Sequence, residues 1–300
     1  MQTDHFGIII HTPKIAKKIA NMVDLEDIAY SRSATVAAVT DYYQFLVKMY
    51  LDDARILYPP ADGWPSITQT DTSILKCLGK SDEVLALLAA LPYIRSPGNW
   101  NDDAEGYPGF LFADWQALIA SLGRTTDESR SKASNTLRIT TEGVGFTHLA
   151  PPHVVGLMDG SRETPVMILD TELGIVHWEN CPSEIEMNPP REWVDYKPDD
   201  DVPEEEENWR YSAAAWAIED FFEVLKEQFR KLRWIPISSQ SVWNSSWSEL
   251  PEDQGMVPML QDIYRQHGWP DLSTFRKSEC LEAVKKALEE HYPSNVDGRG

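Results

Sequence analysis

Three histidines around one apolar stretch are the side chains of this sequence whose chemistry suits a metal ion. His148 precedes the stretch, His153 opens it and His177 lies near its end, with Asp170 and Glu172 between them. Imidazole and carboxylate groups are common ligands of zinc and iron. Their spacing here matches no compact ligand motif, and a histidine on a strand is more often a hydrogen-bonded packing residue. We therefore predict no metal and no cofactor, with these three histidines as the ligands if a metal does bind.

Neighbouring carboxylates offer acid–base chemistry, as in the pairs Asp159/Glu163 and Asp170/Glu172. That chemistry requires one carboxyl group in an apolar pocket, whereas an aspartate in a turn typically closes the turn with its own side chain. The sequence also lacks the phosphate loop, the GxSxG elbow and the HExxH zinc motif, and no GxGxxG opens a helix. We predict no catalytic residue, and the balance favours a protein that is not an enzyme.

Aromatic side chains are abundant, with 11 Trp, 11 Tyr and 9 Phe. Packing in the core is the main interpretation, because these rings bury large areas wherever they lie. The alternative is a small-molecule site among the tryptophans near predicted loops. Those tryptophans are Trp178, Trp193, Trp209, Trp243 and Trp247.

The formal net charge of −21 at pH 7 limits the classes of partner that the protein is expected to bind. Binding to phosphates needs clusters of Lys and Arg that release counterions, so we predict no nucleic-acid partner and no binding to anionic membranes. A basic protein partner fits this charge, as does the simpler interpretation that acidity serves solubility.

Residues 183–208 are predicted to be a long acidic insertion, because they are rich in proline and acidic residues and poor in apolar ones. Its acidic runs are interpreted either as a solvated loop or as a docking site for a basic partner. The candidate binding residues are Trp178, Trp193 and Trp209 together with Asp199, Asp200, Asp201, Glu204, Glu205, Glu206 and Glu207.

Cysteine usage and the first residues of the chain indicate a compartment. Cys77, Cys181 and Cys280 are odd in number and widely spaced, which suggests reduced thiols rather than a disulfide framework or a zinc ribbon. The apolar run Gly7 to Ile10 is too short for a signal peptide, and no run reaches the roughly 20 apolar residues of a membrane span. We expect a cytoplasmic protein, with the nucleus left open.

Short strands must position the histidines and carboxylates. Three apolar runs cover residues 153–158, 165–170 and 175–178, and turns containing Asp and Gly separate them. This punctuation is typical of antiparallel strands joined by tight turns. The sequence therefore predicts a β-meander at the centre of the domain.

Helical periodicity accounts for much of the remaining chain. Residues 14–57 are predicted to hold amphipathic helices, and residues 81–91 a helix capped by Ser81. Residues 209–232 have the strongest helical pattern, with a broad apolar face and acidic residues that precede basic ones.

Two further segments and the end of the chain complete the prediction. Residues 124–134 are charged and rich in Ser and Thr, which indicates a surface loop, and the weak alternation of residues 137–146 indicates a strand. Residues 233–293 are predicted to form a helical extension, with helices over residues 256–266 and 275–291.

A set of residues recurs in the order of a known family: an early aromatic helix, the three strands of the meander and a late aromatic helix. These residues are Tyr42, Phe45, Leu46, Val155, Gly156, Asp159, Gly160, Leu169, Asp170, Gly174, Val176, Asp220, Phe221, Phe222 and Leu225. Their order is similar to the SUKH superfamily, which includes fungal cell-wall regulators and bacterial toxin-immunity proteins, and the Trp- and Pro-rich composition looks like that of filamentous-fungal proteins. The resemblance covers residues 36–232 and implies an α+β fold, a mixed sheet flanked by helices, that binds proteins and is not known for catalysis.

Together, these observations predict a single α+β domain over residues 1–300. We expect a central mixed or antiparallel sheet that contains the meander, flanking helices and a helical C-terminal extension. Two functions remain open: a non-catalytic protein-interaction or regulatory module that uses an acidic surface, and a small-molecule-binding protein or enzyme with a Trp-lined pocket.

Overall fold

Helices and short strands alternate along the chain in an α+β architecture. A computed structural model describes residues 22–95, 103–143, 150–160, 163–194, 210, 213–247 and 251–296. The strands are β1 Met22–Val23, β2 Ile56–Leu57, β3 Tyr93–Ile94, β4 Leu111–Phe112, β5 Val154–Gly156, β6 Met158–Asp159, β7 Val166–Asp170, β8 Ile175–Glu179, β9 Trp193–Val194, β10 Ala214–Ala217, β11 Trp234–Pro236 and β12 Val242–Asn244. The helices are α1 Arg32–Met49, α2 Pro65–Thr68, α3 Thr72–Lys76, α4 Asp82–Ala90, α5 Trp115–Gly123, α6 Asp127–Glu142, α7 Ser183–Met187, α8 Ile218–Arg230, α9 Met256–Gln266 and α10 Lys277–His291. None of these helices is both long and apolar enough to cross a membrane.

The central sheet has the strand order β10-β8-β7-β5, and each neighbouring pair is antiparallel. In the hairpin of β7 and β8, Ile168 is paired with His177 and Asp170 with Ile175. Strands β5 and β10 add to its two edges. The predicted meander is confirmed, because its three apolar runs supply β5, β7 and β8.

The two faces of this sheet are covered differently. Because side chains alternate along a strand, Val155, Leu169 and Val176 share the inner face, where they belong to the main hydrophobic core. The outer face carries two smaller apolar clusters, formed by Val154 with Ile168 and by Ile175 with Val194 and Ala215. Asp170 and His177 share this outer face with Ile168 and Ile175.

Helices α1 and α8 pack against each other over the inner face. Helix α1 begins after Ser31, whose hydroxyl accepts a hydrogen bond from the amide of Ala34 at 3.4 Å, an ordinary N-terminal cap. The ring centroid of Phe229 lies 6.2 Å from that of Phe45 and 6.0 Å from that of Tyr50. Aromatic rings at these separations bury large areas, so they join the two helices firmly.

Helices α9 and α10 form the C-terminal extension, and α9 has the bounds that its periodicity predicts. Leu260 and Leu288 from these helices belong to the main core. The ammonium group of Lys277 donates hydrogen bonds to the main-chain carbonyls of Val47 at 2.8 Å and Leu51 at 2.6 Å. These carbonyls lie near the end of α1, where a helix has no intrahelical donors left for them. The extension is thereby bound to the first long helix.

The prediction of a loop and a strand between residues 124 and 146 is wrong, because α6 covers most of this segment. Ser134 and Thr141 of α6 are buried, and the Ser134 hydroxyl donates to the carbonyl of Cys77 at 2.6 Å. Intrinsic propensity disfavours a helix so rich in Ser and Thr. Its contacts with β5, β6 and β7, together with the bond to Cys77, therefore stabilise it.

The predicted helix over residues 209–232 begins later than its pattern indicates. Residues 214–217 have good helix formers, yet they form β10 because they pair with β8 along its whole length. The helix starts at Ile218, directly after the strand. Pairing with a distant strand overrides local propensity here.

Candidate functional site

A buried polar cluster on the outer face brings together residues from four parts of the chain. Asp170 ends β7, His177 lies within β8, His153 precedes β5 and Arg210 precedes β10. The Oδ2 atom of Asp170 lies 3.6 Å from Nη1 of Arg210, 3.7 Å from Nε2 of His153 and 3.8 Å from Nε2 of His177. These four residues, with Glu172, are called the Asp170 cluster below.

The second carboxylate oxygen of Asp170 closes the β7–β8 turn. It accepts hydrogen bonds from the amides of Glu172 and Leu173, both at 2.9 Å, as an aspartate at the start of a turn does. The carboxylate therefore holds the hairpin with one oxygen and faces the cationic groups with the other. Asp159, the other aspartate with a candidate role, lies in β6, and its burial raises its pKa while the Thr140 side chain and a backbone amide oppose that rise.

The electrostatics of the Asp170 cluster follow from burial and from mutual charge. The carboxylate of Asp170 and the ring of His177 have almost no exposure. Burial alone would raise the pKa of Asp170, but His177, the amide of Leu173 and the charge of His153 together hold it below its usual value. Burial lowers the pKa of His177, and Asp170 opposes this only in part. The pair is therefore a carboxylate beside an uncharged imidazole at neutral pH.

Among Asp170, His153, His177 and Arg210, the side chain of His153 is the most exposed, at 17%. Its Nδ1 atom lies 3.4 Å from Oε1 of Glu172, which is itself exposed. Its Nε2 atom lies 3.5 Å from Nη2 of Arg210. The imidazole of His153 thus connects a surface carboxylate to the buried guanidinium.

The histidines named as conditional metal ligands are partly brought together. His153 and His177 converge on Asp170, whereas His148 lies outside the described residues. Within the described ranges, no three of His, Cys, Asp and Glu are placed to hold a metal ion. The guanidinium of Arg210 also stands at the carboxylate oxygen that such an ion would need.

The candidate tryptophans have separate surroundings. The ring of Trp178 is 1% exposed and lies 5.9 Å from Phe221 and 6.2 Å from Trp216, so it packs in the core. Trp193 is half-buried in β9, and Trp209 lies outside the described residues. The remaining two, Trp243 and Trp247, pair edge to face at 5.2 Å.

An apolar cavity of about 20 Å³ lies in the core between α1, α4, α5 and β5. Tyr43, Trp115 and Phe222 are among the side chains that line it, and none of the five candidate tryptophans does. A space of this size has room for about one water molecule.

The acidic insertion is described at its start and just after its end. Its acidic runs, Asp199 to Asp201 and Glu204 to Glu207, lie outside the described residues. At the start, Val194 of β9 packs against Ile175 and Ala215 on the outer face. At the end, Arg210 joins the Asp170 cluster on that same face. Val194 and Arg210, the described residues on either side of the undescribed residues 195–209, therefore both contact the outer face of the sheet.

Several carboxylates cluster around Arg191, close in sequence to Val194, the last described residue of the insertion. Arg191, just before β9, lies 3.9 Å from Oδ1 of Asp220 and 3.5 Å from Oε2 of Glu223, at the start of α8. Burial raises the pKa of Asp220, Arg191 opposes this, and the charges of Glu219, Glu192 and Glu223 add to the rise. Glu192, Glu219, Asp220 and Glu223 are called the acidic surface below.

Sequence reasoning missed Arg210 and the acidic surface. A hairpin with Asp170 paired to Ile175 places Asp170 and His177 on one face, so their meeting follows from strand alternation. No comparable signal links Arg210 to Asp170, because the two residues are 40 positions apart and the insertion lies between them. Comparisons with protein-family models, with curated proteins and with solved structures gave no significant match to this chain.

Proposed function

We propose that this protein is a non-catalytic interaction module of SUKH-like type that binds a basic segment of a protein partner through the acidic surface and the adjoining insertion. The carrying observation is the environment of Asp220. Burial raises the pKa of Asp220, Arg191 opposes this rise, and the charges of Glu219, Glu192 and Glu223 add to it. Glu223 is itself paired with Lys226 at 2.7 Å and with Arg230 at 3.1 Å, so Glu192, Glu219 and Asp220 supply most of the negative charge that a cationic partner would neutralise.

The position of this surface supports the proposal. Arg191 and Glu192 lie two or three residues before the end of the described part of the insertion at Val194, and Arg191 contacts the first turns of α8. In the sequence, Asp199, the first residue of the acidic runs, follows Val194 after five positions. Adjacent charges of one sign strengthen the local potential and speed the encounter with an oppositely charged partner.

Two observations favour a surface function over a pocket. The ring of Trp178 is used in core packing, which accounts for one of the candidate ligand-binding rings. The cavity of about 20 Å³ is far smaller than the roughly 300 Å³ or more of a small-molecule site.

The test is a fluorescence-anisotropy titration with a labelled peptide of alternating Arg and Ser residues at low salt. One variant carries Glu192→Gln, Glu219→Gln and Asp220→Asn. Its matched control carries Glu282→Gln, Glu289→Gln and Glu290→Gln on the exposed side of α10, so both variants have the same net charge. We expect the first variant to weaken binding about tenfold, the combined effect of three exposed ion pairs, and the control to change it less than about twofold.

Equal weakening in the two variants would overturn the proposal, because binding would then follow net charge and not this surface. The contribution of the insertion is measured in a third variant on the same assay, in which a further several-fold loss is expected. Its substitutions are Asp199→Asn, Asp200→Asn, Asp201→Asn, Glu204→Gln, Glu205→Gln, Glu206→Gln and Glu207→Gln.

A further inference from the structure

We propose that residues 22–28 are an intramolecular pseudo-ligand, which occupies the place on β9 and on the outer face of the sheet that the partner's basic segment takes. Residues 22–28 are called the strap below, and the surface that they cover is called the strap site. The basic character of the partner rests on the proposed function. The strap site and its exchangeable occupant rest on contacts of the outer face alone.

The first residues of the strap form β1, which covers one edge of β9. The two strands are parallel, with Met22 opposite Trp193 and Val23 opposite Val194. Addition of a strand to a sheet edge is a recurring way to bind an extended segment, because main-chain hydrogen bonds supply affinity and contacts of alternate side chains supply specificity. The edge of β9 can therefore accept a segment of another chain in the same way.

The later residues of the strap cover an apolar surface beside that edge. Leu25 and Ile28 pack on the outer-face cluster of Ile175, Val194 and Ala215, whose side chains are at most 3% exposed. Loss of the strap would expose these side chains to water, which is unfavourable. The strap site therefore favours an occupant that carries apolar residues after its strand.

The strap is held less firmly than the chain that follows it. None of residues 22–28 is fully buried, and the amides of Asp27 and Ile28 donate to carbonyls of the strap itself at 3.1 Å. After the strap, the hydroxyl of Tyr30 donates to the Glu83 carboxylate at 2.9 Å. Segments with few buried side chains open locally at small cost, so the strap can leave its site while α1 stays packed.

The direction of the strand pairing determines the chemistry of the partner. Because β1 and β9 are parallel, the residues that precede a bound segment are directed toward Glu192, which precedes Trp193 and belongs to the acidic surface. The chain itself has the matching sequence: residues 5–23 contain no Asp or Glu, and their lysines are Lys14, Lys17 and Lys18. The partner that fits is therefore a segment in which basic residues precede a short apolar strand.

Competition between the strap and a free segment sets the affinity that an experiment will measure. A short tether holds its segment at an effective concentration on the order of 1 mM. With the strap open about 1% of the time, as is common for a minor state, the same segment free in solution should bind the empty site with a Kd on the order of 10 µM. The strap should raise the apparent Kd about a hundredfold.

A labelled peptide with the sequence of residues 14–28 tests the strap site by fluorescence anisotropy on the full chain. Its lysines and its acidic residues balance, so net charge does not drive its binding. The variant Leu25→Ser with Ile28→Ser loosens the strap without a change of charge, and we expect it to bind the peptide at least about tenfold more tightly than the wild type. The matched control, Leu281→Ser with Ile263→Ser, replaces half-buried residues of the C-terminal extension and should stay within about twofold of the wild type.

A second variant, Val23→Pro, is measured in parallel because it interrupts β1 without changing the apolar residues of the strap. It should also bind the peptide more tightly than the wild type, and it decides the test if the first variant loses its near-UV circular dichroism. Equal affinity of the wild type and the folded loosened variants overturns the pseudo-ligand, as does equal binding of a peptide with the same residues in scrambled order.

The charge of the occupant is tested with a peptide in which the three lysines are replaced by Gln. We expect it to bind the loosened variant several-fold more weakly, as loss of exposed ion pairs predicts. Adding Glu192→Gln, Glu219→Gln and Asp220→Asn to the protein should abolish this difference between the peptides. Equal binding of both peptides to the loosened variant would overturn the basic partner and leave the strap site standing, whereas no binding of either would overturn the strap site alone. The two failures are therefore distinguishable.

Discussion

Lys80 and Glu142 form an ion pair in which neither charged group reaches solvent, since the two side chains are 1% and 0% exposed. Arg138 lies nearby, with its Nε atom 3.9 Å from the other oxygen of Glu142. Burial lowers the pKa of Lys80, and Glu142 opposes that change. The pair joins the turn before α4 to the last residue of α6.

Replacing one partner of this ion pair should lower the free energy of unfolding strongly, whereas replacing both should lower it much less. We expect Lys80→Met or Glu142→Met alone to lower the free energy of unfolding by about 3–5 kcal/mol, because each leaves a buried charge without its nearest partner. The double variant should recover most of that loss. Urea denaturation measures all three, with Asp262→Asn, which breaks the exposed contact to Arg265, as a control expected to cost less than about 1 kcal/mol. A double variant as unstable as the sum of the singles contradicts this account.

Gly156 allows α6 to lie directly on the sheet. A Cβ atom at this position would stand 1.9 Å from the main-chain oxygen of Thr141, which cannot move without shifting the helix. We expect Gly156→Ala to cost more than about 3 kcal/mol in thermal or urea unfolding. Gly123→Ala, where the nearest atom is 3.9 Å away, is the matched control and should be nearly neutral.

His177 makes stability depend on pH. Burial lowers its pKa, while a histidine in the unfolded chain titrates near about pH 6.5. Below that pH the unfolded chain binds a proton that the folded protein does not, so the free energy of unfolding falls as the pH falls, by at most about 1.4 kcal/mol per pH unit. The contribution of Asp170, whose pKa is also lowered, is lost only below about pH 4.

Urea titrations at about pH 7.5 and about pH 5.5 check this dependence. His177→Asn should reduce the difference between the two pH values, whereas His291→Gln should not change it. If both variants keep the full wild-type difference, another group is responsible for the acid sensitivity.

The three thiols should react in two classes. Cys77 is exposed and Cys280 is fully buried. Burial raises the pKa of Cys280 to about 12 and raises that of Cys181 further, and a protonated thiol is a poor nucleophile. We expect one fast-reacting thiol per chain with a disulfide reagent under native conditions and three in denaturant. Cys77→Ser should remove the fast phase, and a fast phase that survives this change would show that burial does not control reactivity here.

Local patterns were sufficient for elements whose pairing is local. The hairpin of β7 and β8, the cap at Ser81 and the bounds of α9 all follow from residues close in sequence. Helix α6 and strand β10 do not, because α6 depends on the space above Gly156 and β10 on pairing with β8. Propensity within each segment carries no record of these distant neighbours.

Some contacts of the candidate site follow from local sequence, and others depend on residues that are distant in the chain. That Asp170 and His177 share a face follows from alternation across a predicted hairpin. The contact of Arg210 with both Asp170 and His153 depends on where the chain returns after the insertion, and the acidic surface depends on Arg191 packing beside α8. Such contacts arise from tertiary packing and have no signature in residue spacing.

The contact of Lys277 with the end of α1 can form only late in biosynthesis. Its ammonium group satisfies carbonyls near the end of α1, and 230 residues separate it from Val47. At about 5–20 residues per second, the ribosome makes this donor roughly ten to fifty seconds after the helix that needs it. Throughout that interval the nascent end of α1 lacks this donor, so the junction is completed only after residue 277 has been translated.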